Sequence, residues 1–260
     1  MKLAVIIPAA GGSTRFGSKD KLDEDLGGRP LLLRTVEFFT KREDVSEIVV
    51  AGSAKDHEGF KDRFGAALSF HGVKIVKGGA TRTQSVAKAL DVISDDITHV
   101  AIHDSARPAI TNNLFDRVLL ASKNFAAVAA ALPISGTIKR VCSTPSTVAD
   151  EDALVDSILG TSSQVTIDAF QISETVDRTE LWEMQTPQCF ELSLLKRAYK
   201  QDNLNSFTDD AQVVENLGEP VYVIKGDSRN IKVTTPSDIH LAKSILGVKG
   251  APERPAHKRF

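Results

Sequence analysis

Short apolar runs alternate along the chain with segments of helical periodicity, and this alternation restricts the fold more than any other feature. An apolar run of about four to eight residues is too short for a helix and is typical of a buried strand. Strands that alternate with helices predict an α/β fold, a Rossmann-like, mostly parallel sheet flanked by helices. We predict strands at 3–7, 47–51, 73–76, 99–103, 126–132 and 221–224, and helices at 31–41, 56–68, 81–92, 112–123, 191–201, 209–217 and 237–246.

The first predicted strand leads into a loop of small residues that suits a phosphate group. Residues 3–7 read L-A-V-I-I, and Pro8 ends the strand because it cannot donate to a sheet. Small residues occupy 9–13, so a ligand can approach the backbone N–H groups closely, and two cations follow, Arg15 and Lys21. This order favours a polyphosphate ligand, although similar turns occur in α/β folds without one. The loop is neither a dinucleotide fingerprint nor a Walker loop.

Composition excludes several classes of protein. With 42% hydrophobic residues among 260, the chain can form a full core, and its net charge of −2 argues against nucleic-acid binding. Two cysteines, Cys142 and Cys189, are too few for a disulfide framework or a zinc site, so we predict buried thiols and a cytoplasmic location. The apolar run after Lys2 is too short for an export signal. No segment has the roughly 18 apolar residues of a membrane span.

A second motif, G-G-A-T-R-T-Q-S-V at 78–86, opens the third predicted helix. Its hydroxyl side chains could simply cap that helix. The alternative is a wall for a nucleotide base, with close backbone approach at Gly79 and a hydroxyl from Ser85. Spacing alone leaves both interpretations open.

The third motif, H-D-S-A-R-P at 103–108, follows directly after an apolar strand. An aspartate at the carboxyl end of a parallel strand faces the ligand-binding rim, where Asp104 could bind Mg²⁺ beside phosphate groups. Alternatively, Asp104 caps the following turn and pairs with Arg107. We expect His103 to be a packed residue rather than a base, because a phosphate nucleophile needs no deprotonation near neutral pH.

Four scattered motifs add cations and hydroxyl groups. They are V-D-R at 176–178, T-P-Q at 186–188, T-D-D-A at 208–211 and N-I-K-V-T at 230–234. Each is weak alone, since Thr-Asp-Asp before an apolar run is an ordinary helix start. If they lie on loops at one rim, together they could bind a second phosphorylated ligand.

Taken in order, these motifs resemble those of the 2-C-methyl-D-erythritol 4-phosphate cytidylyltransferases of non-mevalonate isoprenoid biosynthesis. The resemblance includes P-A-A-G-x-x-x-R at 8–15 and extends to about Leu246. It implies transfer of CMP from CTP to 2-C-methyl-D-erythritol 4-phosphate with release of pyrophosphate. It also implies one domain at 1–246 with a projecting arm at 139–178 that forms a homodimer. The tail at 247–260 mixes Pro, Lys, Arg and His with few apolar anchors, and we predict that it is flexible.

The resemblance assigns roles to individual residues. Arg15 and Lys21 would stabilise the transition state on the triphosphate, and Asp104 would lie near Mg²⁺. The residues implied at CTP are Ala9, Ala10, Gly11, Gly79, Ser85 and Ser105. Those implied at the sugar phosphate are Arg107, Thr137, Arg178, Thr186, Thr208 and Lys232. Because arm residues of relatives reach the neighbouring subunit's site, the resemblance implies the same position for Arg178.

Three departures from the family pattern affect these assignments. The loop before Lys21 is one residue short and reads D-K-L, although alignment back from Gly27 selects Lys21 over Lys19. Gly136 replaces the usual acid before Thr137. The arm is longer than usual; we predict a short helix at 151–159, one strand of a hairpin over 164–176, and a distal, partly dispensable insertion at 142–167.

Two other functions remain to be distinguished. A pentitol phosphate cytidylyltransferase acting on ribitol 5-phosphate is the nearest alternative. Such relatives tend to carry L-A-G-G in the first loop and lack the V-D-R and T-D-D-A pair. The other alternative, an inactive nucleotide-binding or scaffold protein, is disfavoured because the candidate catalytic and binding cations are all present.

Overall fold

A computed structural model describes residues 1–11, 16, 20–149, 166–202, 204 and 207–248. The chain divides into one compact unit formed by Met1–Leu132 with Met184–Phe260 and another formed by Pro133–Glu183. The strands in the described residues are β1 Leu3–Pro8, β2 Val45–Gly52, β3 Lys74–Lys77, β4 His99–Ile102, β5 Ala127–Pro133, β6 Ile138–Val141, β7 Ser146–Ala149, β8 Thr166–Ala169, β9 Ile172–Val176, β10 Trp182–Glu191 and β11 Tyr222–Lys225. The α-helices are α1 Leu31–Thr40, α2 His57–Phe70, α3 Arg82–Leu90, α4 Asn112–Ser122, α5 Leu192–Ala198, α6 Asp210–Glu215 and α7 Pro236–Leu246.

A seven-stranded sheet in the order β11-β5-β10-β4-β1-β2-β3 confirms the predicted mixed α/β fold with a mostly parallel sheet. Strand β1 lies at its centre and pairs in parallel with β2 and β4. All six residues of β1 are buried because helices cover both faces of the sheet. Leu3, Val5 and Ile7 pack into one core with α1, α2, α4 and α7, whereas Ala4 and Ile6 pack into another with α3, α5 and α6.

Strand β10 was missing from the sequence prediction. It runs antiparallel to β4, with Gln188 opposite Ile102, so the T-P-Q motif lies within the sheet rather than on a loop. Pro187 argues against a central strand in the sequence, because proline cannot donate to the ladder. Three buried polar side chains, Gln185, Thr186 and Gln188, also break the apolar pattern by which buried strands are identified.

The second unit contains two antiparallel strand pairs among its described residues, β6 with β9 and β7 with β8. The single strand predicted across 164–176 is therefore wrong, because β8 and β9 pair with different partners and are separated by Phe170 and Gln171. Cys142 is exposed, contrary to the prediction of a buried thiol, whereas Cys189 is buried as predicted. The predicted helix at 151–159 and the tail beyond 248 lie outside the described residues.

In the described part of the chain, no helix combines the length and apolar character that crossing a membrane would require.

Candidate active site

A first cavity opens where the chain leaves β1 and β4 at their carboxyl ends. Residues 8–11 and 104–106 line it together with Lys21, Leu22, Arg82, Ser85 and Lys232. The predicted nucleotide residues Ala9, Ala10, Gly11, Ser85 and Ser105 are thus brought together. The parallel topology explains this convergence, because parallel strands end at one edge of the sheet.

A second cavity lies beside the first and is more polar. Its wall contains the predicted substrate residues Arg107, Thr186, Thr208 and Lys232. The rest of the lining is Arg82, Asp104, Met184, Gln185, Gln188 and Asp209. Three of these residues, Arg82, Asp104 and Lys232, also line the first cavity, so the two cavities share a charged wall.

Asp104 is the centre of this shared wall. Its Oδ2 lies 2.9 Å from Lys232 Nζ and 3.4 Å from Arg107 Nε, and its Oδ1 lies 3.2 Å from Arg82 Nε. Burial alone would raise the pKa of Asp104, but the charges of Arg82, Lys232 and Arg107 hold that pKa far below its ordinary value. Asp104 is therefore a permanent carboxylate, and the predicted pairing with Arg107 is confirmed.

His103 stabilises the shared wall through hydrogen bonds. Its Nε2 lies 3.0 Å from the carbonyl oxygen of Arg107, which can only accept, so Nε2 carries the proton. Its Nδ1 then accepts from the hydroxyl of Thr186 at 3.2 Å, and that hydroxyl accepts the N–H of Asp104 at 3.0 Å. Burial lowers the pKa of His103 to about 4, so it is neutral near pH 7. His103 is the packed residue that the sequence analysis predicted.

The G-G turn before α3 is explained by internal packing. A Cβ on Gly78 would lie 2.5 Å from the Cβ of Ala10, and one on Gly79 would lie 2.2 Å from that of Gln84. The Ser85 hydroxyl accepts the N–H of Gly79 at 3.0 Å and donates to the carbonyl of Thr81 at 2.8 Å. Thr81 is the N-cap of α3, which confirms the capping interpretation for that residue. A role for Gly79 and Ser85 at a nucleotide base stays a prediction.

Lys21 begins a single 3-10 turn, Lys21–Asp23, that presents its side chain to the first cavity. Leu22 is buried and anchors the turn, and Asp20 caps it by accepting the N–H of Leu22 at 3.1 Å. The ammonium group of Lys21 lies 3.4 Å from the carbonyl oxygen of Val233. The other two cations of the loop, Arg15 and Lys19, lie outside the described residues.

The remaining predicted substrate residues are divided between the two units. Arg107 donates to the carbonyl of Asn230 at 2.8 Å, so part of its guanidinium group stabilises the shared wall. Thr137 and Arg178 belong to the second unit, where both are exposed. Arg178 donates there to the carbonyl of Ser135.

Sequence reasoning missed Arg82, which lines both cavities. It stands in the quoted motif G-G-A-T-R-T-Q-S-V, but no role was assigned to it. Its second carboxylate partner, Asp210, comes from the T-D-D-A motif far along the chain, with 2.8 Å between Arg82 Nη2 and Asp210 Oδ2. A signal for this ion pair was present in the sequence. The arginine belongs to one motif and the acid pair to another, and both motifs were candidates for the same ligand-binding rim.

A divalent cation fits this site only with phosphate ligands. Within the described residues, no group of three or more His, Cys, Asp or Glu side chains could hold a metal ion. Among those residues, Asp104 is the one carboxylate lining the first cavity, and three cations already contact it. Mg²⁺ commonly binds through one or two carboxylates with phosphate oxygens and water supplying the other ligands. The residues therefore fit a cation that arrives with a triphosphate.

Comparisons with known proteins match a single family over nearly the whole chain. The profile of the family IspD, 2-C-methyl-D-erythritol 4-phosphate cytidylyltransferase, matches residues 3–156 and 146–248. The enzyme of that name from Rhodopirellula baltica is 36% identical over 94% of each chain, and that from Caldanaerobacter subterraneus is 34% identical over 95% of this chain and 99% of its own.

Solved structures agree with these sequence matches. The Francisella tularensis 2-C-methyl-D-erythritol 4-phosphate cytidylyltransferase has a TM-score of 0.72 at 26% identity and covers 95% of this chain and 100% of its own. The Thermus thermophilus protein of the same name has a TM-score of 0.68 at 30% identity, with the same coverage.

Proposed function

The chain belongs to the 2-C-methyl-D-erythritol 4-phosphate cytidylyltransferase family, and from this premise we propose that its two cavities hold the two substrates of that reaction. The enzyme transfers CMP from CTP to 2-C-methyl-D-erythritol 4-phosphate, giving 4-diphosphocytidyl-2-C-methyl-D-erythritol and pyrophosphate in isoprenoid biosynthesis. This proposal rests mainly on the wall that the two cavities share, in which Asp104 and the cations around it lie between the two cavities. A phosphate oxygen entering from the second cavity reaches a phosphorus atom in the first at this wall.

CTP occupies the first cavity in this proposal. The small residues Ala9, Ala10 and Gly11 leave their backbone accessible to phosphate oxygens at the end of β1. Lys21, together with Arg15, stabilises charge that develops on the α-phosphate and on the leaving pyrophosphate. Gly79, Ser85 and Ser105 complete the nucleotide site, with Ser85 and Ser105 lining the cavity.

The sugar phosphate occupies the second cavity. Lys232 is the most exposed cation of the shared wall, with 43% of its side chain accessible, and it binds the incoming phosphate. Arg107, Thr186 and Thr208 line the cavity around it. A phosphate oxygen is already ionised near pH 7, so the reaction requires positioning rather than a general base. The buried, neutral His103 agrees with this requirement.

We propose that Mg²⁺ enters with CTP and that Asp104 is its protein ligand. Such an ion offsets negative charge on the triphosphate during displacement. Because Asp104 also contacts three cations, its main function without CTP is to hold the shared wall together.

The second unit supports the proposal of a homodimer. Large apolar side chains that are 39–62% exposed occur throughout it, at Val141, Ile167, Phe170, Ile172, Leu181 and Trp182. An accumulation of exposed apolar residues is typical of an interaction surface. In the proposed dimer, this surface contacts a second copy of the chain, and Arg178 and Thr137 contribute to the neighbouring active site. The proposed location is the cytoplasm.

Turnover assays distinguish this function from its alternatives. The protein is incubated with CTP, Mg²⁺ and either 2-C-methyl-D-erythritol 4-phosphate or ribitol 5-phosphate, and pyrophosphate release is measured. We expect release with methylerythritol phosphate and little with ribitol phosphate, and we expect CTP to exceed UTP, ATP and GTP. Absence of turnover with every acceptor would support a scaffold protein instead.

The loop lysines provide a matched pair of variants for the same assay. Lys21→Ala should lower kcat by roughly 10²-fold or more, as for other electrostatic deletions, because Lys21 acts on the transition state. Lys19→Ala removes the same charge from the same loop and should keep most of the activity. The opposite order would show that Lys19 is the catalytic lysine.

A further inference from the structure

Arg82 contacts two carboxylates through two different nitrogens of its guanidinium group. Its Nε lies 3.2 Å from Asp104 Oδ1 in the shared wall, and its Nη2 lies 2.8 Å from Asp210 Oδ2. Asp210 is fully buried, and its Oδ1 accepts a 2.5 Å hydrogen bond from the hydroxyl of Tyr199. The contacts thus form a continuous row from Tyr199 through Asp210 and Arg82 to Asp104.

The far end of this row is rigidly built. Gln188 of β10 accepts the N–H of Asp210 at 3.1 Å and that of Ala211 at 3.0 Å, and it donates to Asp209 at 2.9 Å. Burial and the neighbouring Asp210 carboxylate raise the pKa of Tyr199 well above its ordinary value, so the phenol keeps its proton and donates. These hydrogen bonds fix the position of Asp210 beside Arg82.

Three cations contact Asp104, but they differ in exposure. The side chain of Lys232 is 43% exposed, that of Arg82 is 26% exposed and that of Arg107 is 7% exposed. Lysine carries a single point charge on a flexible stem, whereas arginine can contact two carboxylates through different nitrogens. When a phosphate enters the second cavity, Lys232 can exchange Asp104 for that phosphate while the two arginines remain.

We propose that Arg82, anchored by Asp210 and Tyr199, is a positioning residue that fixes Asp104 in the shared wall and so releases Lys232 for the incoming phosphate. Arg82 bridges two carboxylates. Its contact with Asp104 holds that carboxylate in place when Lys232 moves toward the phosphate in the second cavity. Loss of the bridge lets Asp104 retain Lys232, which lowers productive placement of the acceptor. This inference rests on the proposed function, because it takes the second cavity as the acceptor site.

The test compares kinetic constants of four variants with those of the wild type. Arg82→Gln removes the bridge, Arg82→Lys keeps the charge without the fork, and Tyr199→Phe removes only the hydroxyl that anchors Asp210. The matched control is Arg42→Gln, because Arg42 also bridges two carboxylates, Asp44 and Asp116, at 2.6 Å each but lines neither cavity. For each variant, kcat, both KM values and the melting temperature are measured.

We expect Arg82→Gln to lower kcat/KM for the acceptor at least tenfold while the KM for CTP changes less than threefold. Arg82→Lys should recover part of the loss, and Tyr199→Phe should lower the same constant about threefold, in the direction expected of a lost hydrogen bond. Arg42→Gln should change the melting temperature without a selective change in kcat/KM for the acceptor or in the KM for CTP.

The inference is overturned if Arg82→Gln matches Arg42→Gln in its kinetics, or if its loss is equal for CTP and acceptor. In either case the wild type would still transfer CMP, so the proposed function would stand. A wild type that transfers nothing would instead contradict the proposed function itself.

Discussion

His103 shows how a single residue can tie two distant motifs together. Its ring joins the carbonyl of Arg107 to the hydroxyl of Thr186, which in turn receives the N–H of Asp104. The arrangement requires a neutral imidazole, because a second ring proton would face the Thr186 hydroxyl and the ring is fully buried. Protonation therefore opposes folding.

The pH dependence of stability follows from this residue. Burial lowers the pKa of His103 from 6.5 to about 4, so the unfolded chain binds the proton more readily between these values. Stability is full above pH 6.5 and falls as the pH drops toward 4, by about 3 kcal/mol. Urea unfolding at intervals between pH 7.5 and 4.5 should show this decline, and His103→Gln should flatten it. An equally steep decline in the variant would assign the effect to other groups.

At the scale of elements, β10 connects the sheet to the start of α6. Gln188 is 1% exposed and supplies hydrogen bonds to Asp209, Asp210 and Ala211. Two of these partners are backbone N–H groups in the first turn of a short helix, where no intrahelical acceptor is available. The third is the carboxylate of Asp209, the N-cap of that helix. A polar residue inside the sheet thus supplies an acceptor to the first turn of α6.

Removal of that amide tests the connection. Gln188→Met keeps the volume but leaves buried N–H groups without an acceptor, which should lower the free energy of unfolding by about 2–4 kcal/mol. The matched control is Gln171→Met, since Gln171 is exposed and should tolerate the same change. Chemical denaturation of both variants measures the difference. Equal stabilities would show that α6 does not depend on Gln188.

At the scale of the whole molecule, the two units carry different parts of the proposed site. The first unit contains both cavities, whereas Arg178 and Thr137 belong to the second. The apolar side chains exposed on the second unit are the basis of the proposed contact with another copy. A dimer in which each arm serves its neighbour would bring these parts together.

Complementation between two inactive variants tests this arrangement. In a mixed dimer of Arg178→Ala and Lys21→Ala subunits, one site is intact if Arg178 acts on the neighbouring subunit. Random exchange should then restore about a quarter of wild-type activity, because half of the dimers are mixed and each has one working site. Subunits with different tags establish that exchange occurred. Exchange without recovery would place Arg178 in its own subunit's site or outside any site.

The sequence by itself determined the mostly parallel sheet and the edge of the sheet at which the first cavity opens. Strands buried on both faces are mostly apolar, so β1, β4 and β5 are visible as short apolar runs. The loops that follow such strands meet at one edge, and the motifs after β1 and β4 therefore line one cavity. Local spacing is sufficient for these features, because each depends on a few neighbouring residues.

Only the tertiary structure decided the position of β10 and the role of Arg82. Strand β10 is polar where the pattern requires apolar residues, and its buried groups are satisfied by partners such as His103 and Asp210 from distant segments. The role of Arg82 depends on its contacts with Asp104 and Asp210, which belong to two other motifs. A hydrogen bond or ion pair between distant segments leaves no periodic trace in the sequence, because it depends on where the folded chain brings them together.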